Sequence, residues 1–147
     1  MAELASETPA TPKASWHLWA VGLLAVLWNA AGAYTIMSAQ TGTLEGISPD
    51  EAAYYLTQPA WFVALTDIAL IAAITAGIAL LLRSRFAASL FAISLVAIAV
   101  TAAYDLAMGT SRMYANAGAL VVTILIWVLA ALQLWYAMAM RRKGVLR

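Results

Sequence analysis

The sequence predicts an all-α, polytopic membrane protein, a four-transmembrane-helix bundle with a short interfacial helix between the first two crossings. Three observations predict it. Of 147 residues, 65% are hydrophobic and only 10% charged, whereas soluble domains average roughly 45–50% apolar and about 25% charged. So few charges cannot cover a water-facing surface. The apolar residues fall into four runs, each long enough at about 1.5 Å per residue to cross roughly 30 Å of hydrocarbon. Lys and Arg gather almost wholly on one side of the resulting four-crossing chain.

Residues 1–15, with Pro9 and Pro12 among Ser, Thr and Glu, read as a disordered tail that has nothing to bury. The first crossing is expected over 16–38. Ala31 and Ala33 also make a signal-cleavage-like A-x-A pattern. Asn29 within the run, the acidic tail with Glu3 and Glu7, and the length of the apolar stretch favour a retained helix. The polar stretch that follows contains a helix start, with Ser48 as cap, Pro49 at the first helical position, and Asp50 and Glu51 near the positive end of the dipole. That short helix carries Tyr54, Tyr55 and Leu56, with Trp61 and Phe62 just beyond Pro59, and is expected to lie on the membrane surface.

The second crossing is expected over 60–82 and the third over 86–108. The Arg83-Ser84-Arg85 connection is too short for anything but an antiparallel hairpin. The fourth is expected over 117–140, so 16–140 forms one transmembrane domain and 141–147 a basic tail. Lys13, Arg83, Arg85, Arg141, Arg142, Lys143 and Arg147 then share one side, and only Arg112 lies opposite. The positive-inside rule makes the shared side cytoplasmic, with both termini there.

Polar groups at membrane depth are the candidate functional residues. Asp67 lies about two turns into the second crossing, where a carboxylate costs at least ~2.5 kcal/mol unless it finds a partner. Asp105 lies nearer the outer end of the third crossing, within reach of Arg112 as an ion pair. Asn29, Tyr34, Tyr104 and Asn116 fall at similar outer depths. Asn29, Tyr34, Asp67, Tyr104 and Asp105 are therefore expected to line an outward-facing polar cleft. The plainer alternative for each acid is an interhelical clasp or an interfacial anchor.

Helical spacing supports inward faces. Ser94, Ala97, Thr101 and Asp105 recur every three or four residues on the third crossing, and Asn116, Thr123, Ala130 and Ala137 every seven on the fourth. Ala69, Ala73 and Gly77 make a small-xxx-small row suited to close helix approach. Gln133 reads as an interhelical hydrogen-bonding group, and the six Trp as interface and packing residues. Tyr54 and Tyr55 suit a surface anchor or an aromatic-stacked ligand equally.

Composition also excludes function classes. No cysteine is present, which removes thiolate catalysis, disulfide exchange and thiolate metal ligation. One histidine, His17, cannot supply paired axial ligands. A net charge of +1 leaves no basic density for nucleic acid. No catalytic residue, metal or cofactor is expected, and the chain is read as a non-enzyme.

Absent residues set aside several small membrane families. A small-multidrug-resistance exporter needs a glutamate in its first helix, quinone-linked disulfide enzymes need cysteines, and intramembrane serine proteases need a Ser–His pair at depth. A lipid-headgroup phosphotransferase needs more acidic metal ligands, and a semi-SWEET carrier has three helices and a Pro-Gln order, reversed here at Gln58-Pro59.

The run Leu27-Trp28-Asn29-Ala30-Ala31-Gly32-Ala33-Tyr34, then Gln40-Thr41, Pro59-Ala60-Trp61-Phe62, Leu82-Arg83-Ser84-Arg85-Phe86-Ala87 and the ending Arg142-Lys143-Gly144-Val145-Leu146-Arg147 resemble a group of uncharacterised bacterial four-helix inner-membrane proteins. Some of that group carry a loose "sugar transporter" label. The resemblance implies a bacterial inner-membrane location and transport, and assigns no functional residue. Two functions are therefore expected to compete: binding or passage of a small solute, and a structural accessory subunit of a larger membrane complex. Either way the partners are membrane lipid and a second copy or larger membrane protein, because four helices enclose little volume.

Single cysteines introduced into this cysteine-free chain test the orientation. Ile47→Cys should react with an impermeant maleimide in intact cells, and Ser84→Cys only after permeabilisation. The reverse pattern would invert the topology.

Overall fold

A long apolar run placed in lipid must satisfy every backbone N–H and C=O within itself, which only a helix does. The computed structural model describes residues 15–110 and 117–147, and its regular elements are all helical. They are α1 (Trp16–Gln40), α2 (Pro49–Leu56), α3 (Ala60–Leu81), α4 (Phe86–Met108) and α5 (Ala117–Arg142). Four of them, all but α2, are long and apolar enough to cross a membrane. This is a multi-pass membrane protein by length and composition. Residues 1–14 with Lys13, and 111–116 with Arg112 and Asn116, lie outside the described residues.

The α2 helix begins as its sequence dictates. The Ser48 hydroxyl accepts from Glu51 N–H at 3.2 Å, Pro49 occupies the first turn, and Asp50 and Glu51 sit at the positive end. It crosses one end of the bundle as a strap, touching α1 and, through Tyr54, α4. The α3 helix lies between α1 and α4, and α4 packs in turn on α5.

Close approach of α1 to α3 is made possible by glycines on both. A Cβ added to Gly77 would stand 2.8 Å from Val26 Cγ2 and 3.2 Å from Val26 N. One added to Gly22 would meet the Leu81 side chain at 2.6 Å. The small residues Ala69, Ala72, Ala73 and Ala76 on α3 are all buried. On α4 the expected inward row is buried through Ser94, Ala97 and Thr101. On α5 the expected row holds only near the basic end. Ala137 is buried, Ala130 half-buried, and Thr123 exposed, its hydroxyl turned back to Ala119 O at 2.9 Å. Every residue from Leu120 to Val128 is exposed. This stretch of α5 packs only loosely, with Ile126 reaching the mid-bundle space beside Asn29 and Phe91.

At the opposite end the chain is tied off. The α5 helix continues through Arg142, Gly144 takes a left-handed φ of 68°, and Val145 N–H returns to Met140 O at 3.1 Å. This is a Schellman-type stop. Val145 and Leu146 are then buried against Leu18, Leu80 and Ala87. Arg147 N–H donates to Arg83 O, and Arg85 N–H to Arg147 O, both at 2.7 Å. Arg83 itself is left-handed at φ 58°, held there by that bridge and by its Nε donating to Val145 O at 3.1 Å.

Gly77→Leu should be destabilising, because its contact includes the Val26 backbone, which cannot rotate aside. Overpacking of this kind costs roughly 1–3 kcal/mol, read as a lower thermal unfolding midpoint in detergent. An unchanged midpoint would mean that α1 and α3 are not held this closely.

Candidate functional site

The polar residues at membrane depth occur in three separate places. The first is mid-bundle. Asn29 faces inward on α1, its Nδ2 donating to Ala25 O at 2.7 Å and to Gln133 Oε1 on α5 at 3.2 Å. Trp28, Ser94, Phe91 and Ala130 surround this bond, and the space enclosed is about 20 Å³. That is room for one water molecule and no solute. Nearer the basic end, His17 Nδ1 and the Tyr136 hydroxyl meet at 2.6 Å. These two contacts join α1 to α5.

The second place lies beneath the strap. Tyr54 on α2 donates its hydroxyl to Asp105 Oδ1 at 2.8 Å, and Thr110 donates to the same oxygen at 2.9 Å. Tyr104 stands edge-on to Trp61, with ring centres 4.9 Å apart, and is tilted against Phe62. Burial, and then the hydrogen bond to the Asp105 carboxyl, push the Tyr54 phenol above its ordinary range. A raised phenol pKa favours the protonated, folded contact, so this stabilisation is lost only as pH climbs beyond that ordinary range. Asp105 is thus engaged by Tyr54 and Thr110, and its expected partner Arg112 lies outside the described residues.

The third place is on α3. Thr66 Oγ1 and Asp67 Oδ1 are buried and have no hydrogen-bond partner among the described residues. Gln40 Nε2, at the end of α1, shares that condition. The contacts of Gly22 with Leu81, Gly77 with Val26 and Gly32 with Leu70 fix the antiparallel register of α1 on α3. Extended along that register, Gln40 falls about one turn nearer the strap than Asp67.

Of the five residues expected to line one outward cleft, Tyr104 and Asp105 lie beneath the strap, Asn29 lies mid-bundle on Gln133, and Asp67 lies on α3 between those levels. Tyr34 is 74% exposed. Gly32 faces Leu70 of α3, and two residues further along a helix is nearly the opposite side. The rings that pack on Tyr104 come from residues 61 and 62, about 8 Å along the helix axis from Asp67. The larger groove, about 370 Å³ between α3 and α4, is lined by Leu65, Ile68, Ile93, Val96 and Val100 and by no polar side chain.

Gln40 and Thr66 escaped sequence reasoning, although one ends an apolar run and the other adjoins Asp67. The His17–Tyr136 contact was also missed, and its one signal would have been depth, since both lie near the same end of antiparallel helices. No protein-family model, curated protein or solved structure matches this chain.

A double-mutant cycle on Asn29→Leu and Gln133→Leu should return a coupling of about 0.6 kcal/mol, and at most about 1.7, the range for interhelical hydrogen bonds in membranes. Strictly additive effects on the unfolding midpoint would show that the pair does not hold α1 to α5.

Proposed function

We propose that the chain is a non-enzymatic protein of a bacterial inner membrane, both termini cytoplasmic, that binds or passes a small solute at Thr66 and Asp67 from the strap side. The observation that carries this reading is the presence of orphaned polar atoms in one half of the bundle. Gln40 Nε2, Thr66 Oγ1 and Asp67 Oδ1 are buried without partners, and all three fall in the half of the bundle nearer α2. Each such group costs about 1–3 kcal/mol while unsatisfied. An interhelical clasp would have supplied partners, as it does for Asn29 and Gln133.

Thr66 and Asp67 offer a hydroxyl and a carboxyl acceptor on adjacent residues of α3, and Gln40 an amide donor about one turn nearer the strap. A small polyhydroxyl solute complements all three, and the resemblance to proteins labelled as sugar transporters favours the same chemistry. Access from the strap side would run past α2, which the Tyr54–Asp105 bond ties to α4. A passage through so small a bundle would be completed by a second copy.

One observation favours the accessory-subunit reading. The Leu120–Val128 stretch of α5 is largely exposed, as a helix that packs on a larger membrane partner would be.

Counterflow of labelled monosaccharides in proteoliposomes tests the site. Asp67→Asn should lower the rate about tenfold or more, the equivalent of one hydrogen bond to a carboxylate, with the unfolding midpoint retained. Unchanged flux with a lowered midpoint would return Asp67 to a structural role. A larger membrane protein co-purifying in fixed proportion would favour the accessory reading.

A further inference from the structure

We propose that the basic end of the bundle is a binding site for the phosphate of an anionic phospholipid, with the Arg85 and Arg147 guanidinium groups as its principal ligands. The ordered hook is the first observation. A free basic tail would place Arg147 anywhere within reach of α5. Here its backbone is bonded in both directions to the α3–α4 turn, to Arg83 O and from Arg85 N–H. Residues 83, 85 and 147 therefore sit side by side on one backbone frame, anchored from below by buried Val145 and Leu146.

Charge is the second observation. Arg85, Arg141, Arg142, Lys143 and Arg147 are all exposed on this rim, and Arg83 is half-buried with its Nε on Val145 O. The side-chain carboxylates among the described residues are Glu45, Asp50, Glu51, Asp67 and Asp105, and all lie towards the strap, while the Arg147 main-chain carboxyl lies on the rim and accepts from Arg85 N–H. The rim is thus a concentration of cations with no side-chain carboxylate from the described residues beside it. Arginine, with its planar fork of donors, suits the oxygens of a phosphate.

The surroundings decide for a lipid phosphate over a free one. Leu82 and Phe86 flank the Arg83–Arg85 turn with 75% and 60% of their surfaces exposed, and Trp16, Trp19 and Trp135 are exposed at the same end. A phosphate held at Arg85 would have its acyl chains against this apolar wall. Clusters of four to eight basic residues beside a membrane helix attract anionic lipid at about fivefold per residue, from ~1 kcal/mol each.

The test uses the full chain in nanodiscs of phosphatidylcholine, with or without phosphatidylglycerol. Phosphatidylglycerol should raise the unfolding midpoint and stay bound preferentially when lipid adducts are resolved by native mass spectrometry. Inorganic phosphate added to phosphatidylcholine discs should leave the midpoint where it was. The double variant Arg85→Gln/Arg147→Gln should reduce the preference about tenfold or more. Arg85→Lys/Arg147→Lys, which keeps the charge and loses the fork, should reduce it measurably.

A midpoint unmoved by phosphatidylglycerol, or raised equally by inorganic phosphate, overturns the proposal without any variant. A preference that survives the Lys pair unchanged overturns it too, by assigning the effect to net charge alone.

Discussion

Apolar side chains gain almost nothing by exchanging lipid for a protein interior, so helices in a membrane are held by close fit and by the few hydrogen bonds between them. The contact of Gly77 with Val26 is one of two tight glycine contacts between α1 and α3, and it is the one in which a Cβ would press on the α1 backbone, 3.2 Å from Val26 N. It sets the register of α1 on α3. That register brings Asn29 to the level of Ala73 and Ser94, and so to Gln133. Packing between α3 and α4 then follows from a row of small residues that keeps Ser94 and Thr101 off the lipid face.

From that core the two ends diverge. Towards the basic end every helix terminus is tied: α1 to α5 through His17 and Tyr136, and the α3–α4 turn to the chain's last residue through paired backbone bonds. Towards the strap the ties are fewer. The Tyr54 hydroxyl reaches across to Asp105, aromatic rings pack edge to face, and the facing part of α5 is largely exposed. Among the described residues, the buried orphaned side-chain atoms fall in this looser half. Their position is consistent with a site whose partners arrive from outside the chain.

Much of the fold was legible from the sequence because lipid imposes simple length and composition limits. The four long helices end at Gln40, Leu81, Met108 and Arg142, near the ends expected for the apolar runs. Ser48-Pro49-Asp50-Glu51 announced α2 through capping chemistry that acts over three residues. The site was far less legible. A helix apolar all round carries little signal of which side meets protein, so Tyr34 and Asn29 looked equivalent although one faces out and the other in. Gln133 was recognised as a hydrogen-bonding group, but its partner lies 104 residues away, and nothing local could name it. The hook did have a local signal, a glycine just past the last apolar turn followed by Val and Leu. The density of positive charge around it suggested a solvated tail instead.

The same distribution of ties bears on how such a bundle could respond to a ligand. A ligand shifts a conformational equilibrium only by the difference in its affinity for the two states, and it needs groups whose bonding differs between them. At the basic end the hook and the turn already bond each other, so opening there would break backbone bonds before offering anything new. At the strap end, unbonded Thr66, Asp67 and Gln40 atoms would gain partners while the main polar contact displaced is the Tyr54–Asp105 pair. The hydroxyl that left Asp105 would emerge into water or headgroups able to replace its bond. Motion linked to binding is therefore least costly where α2 lies, with the glycine-packed α1–α3 pair as the fixed frame against which it occurs.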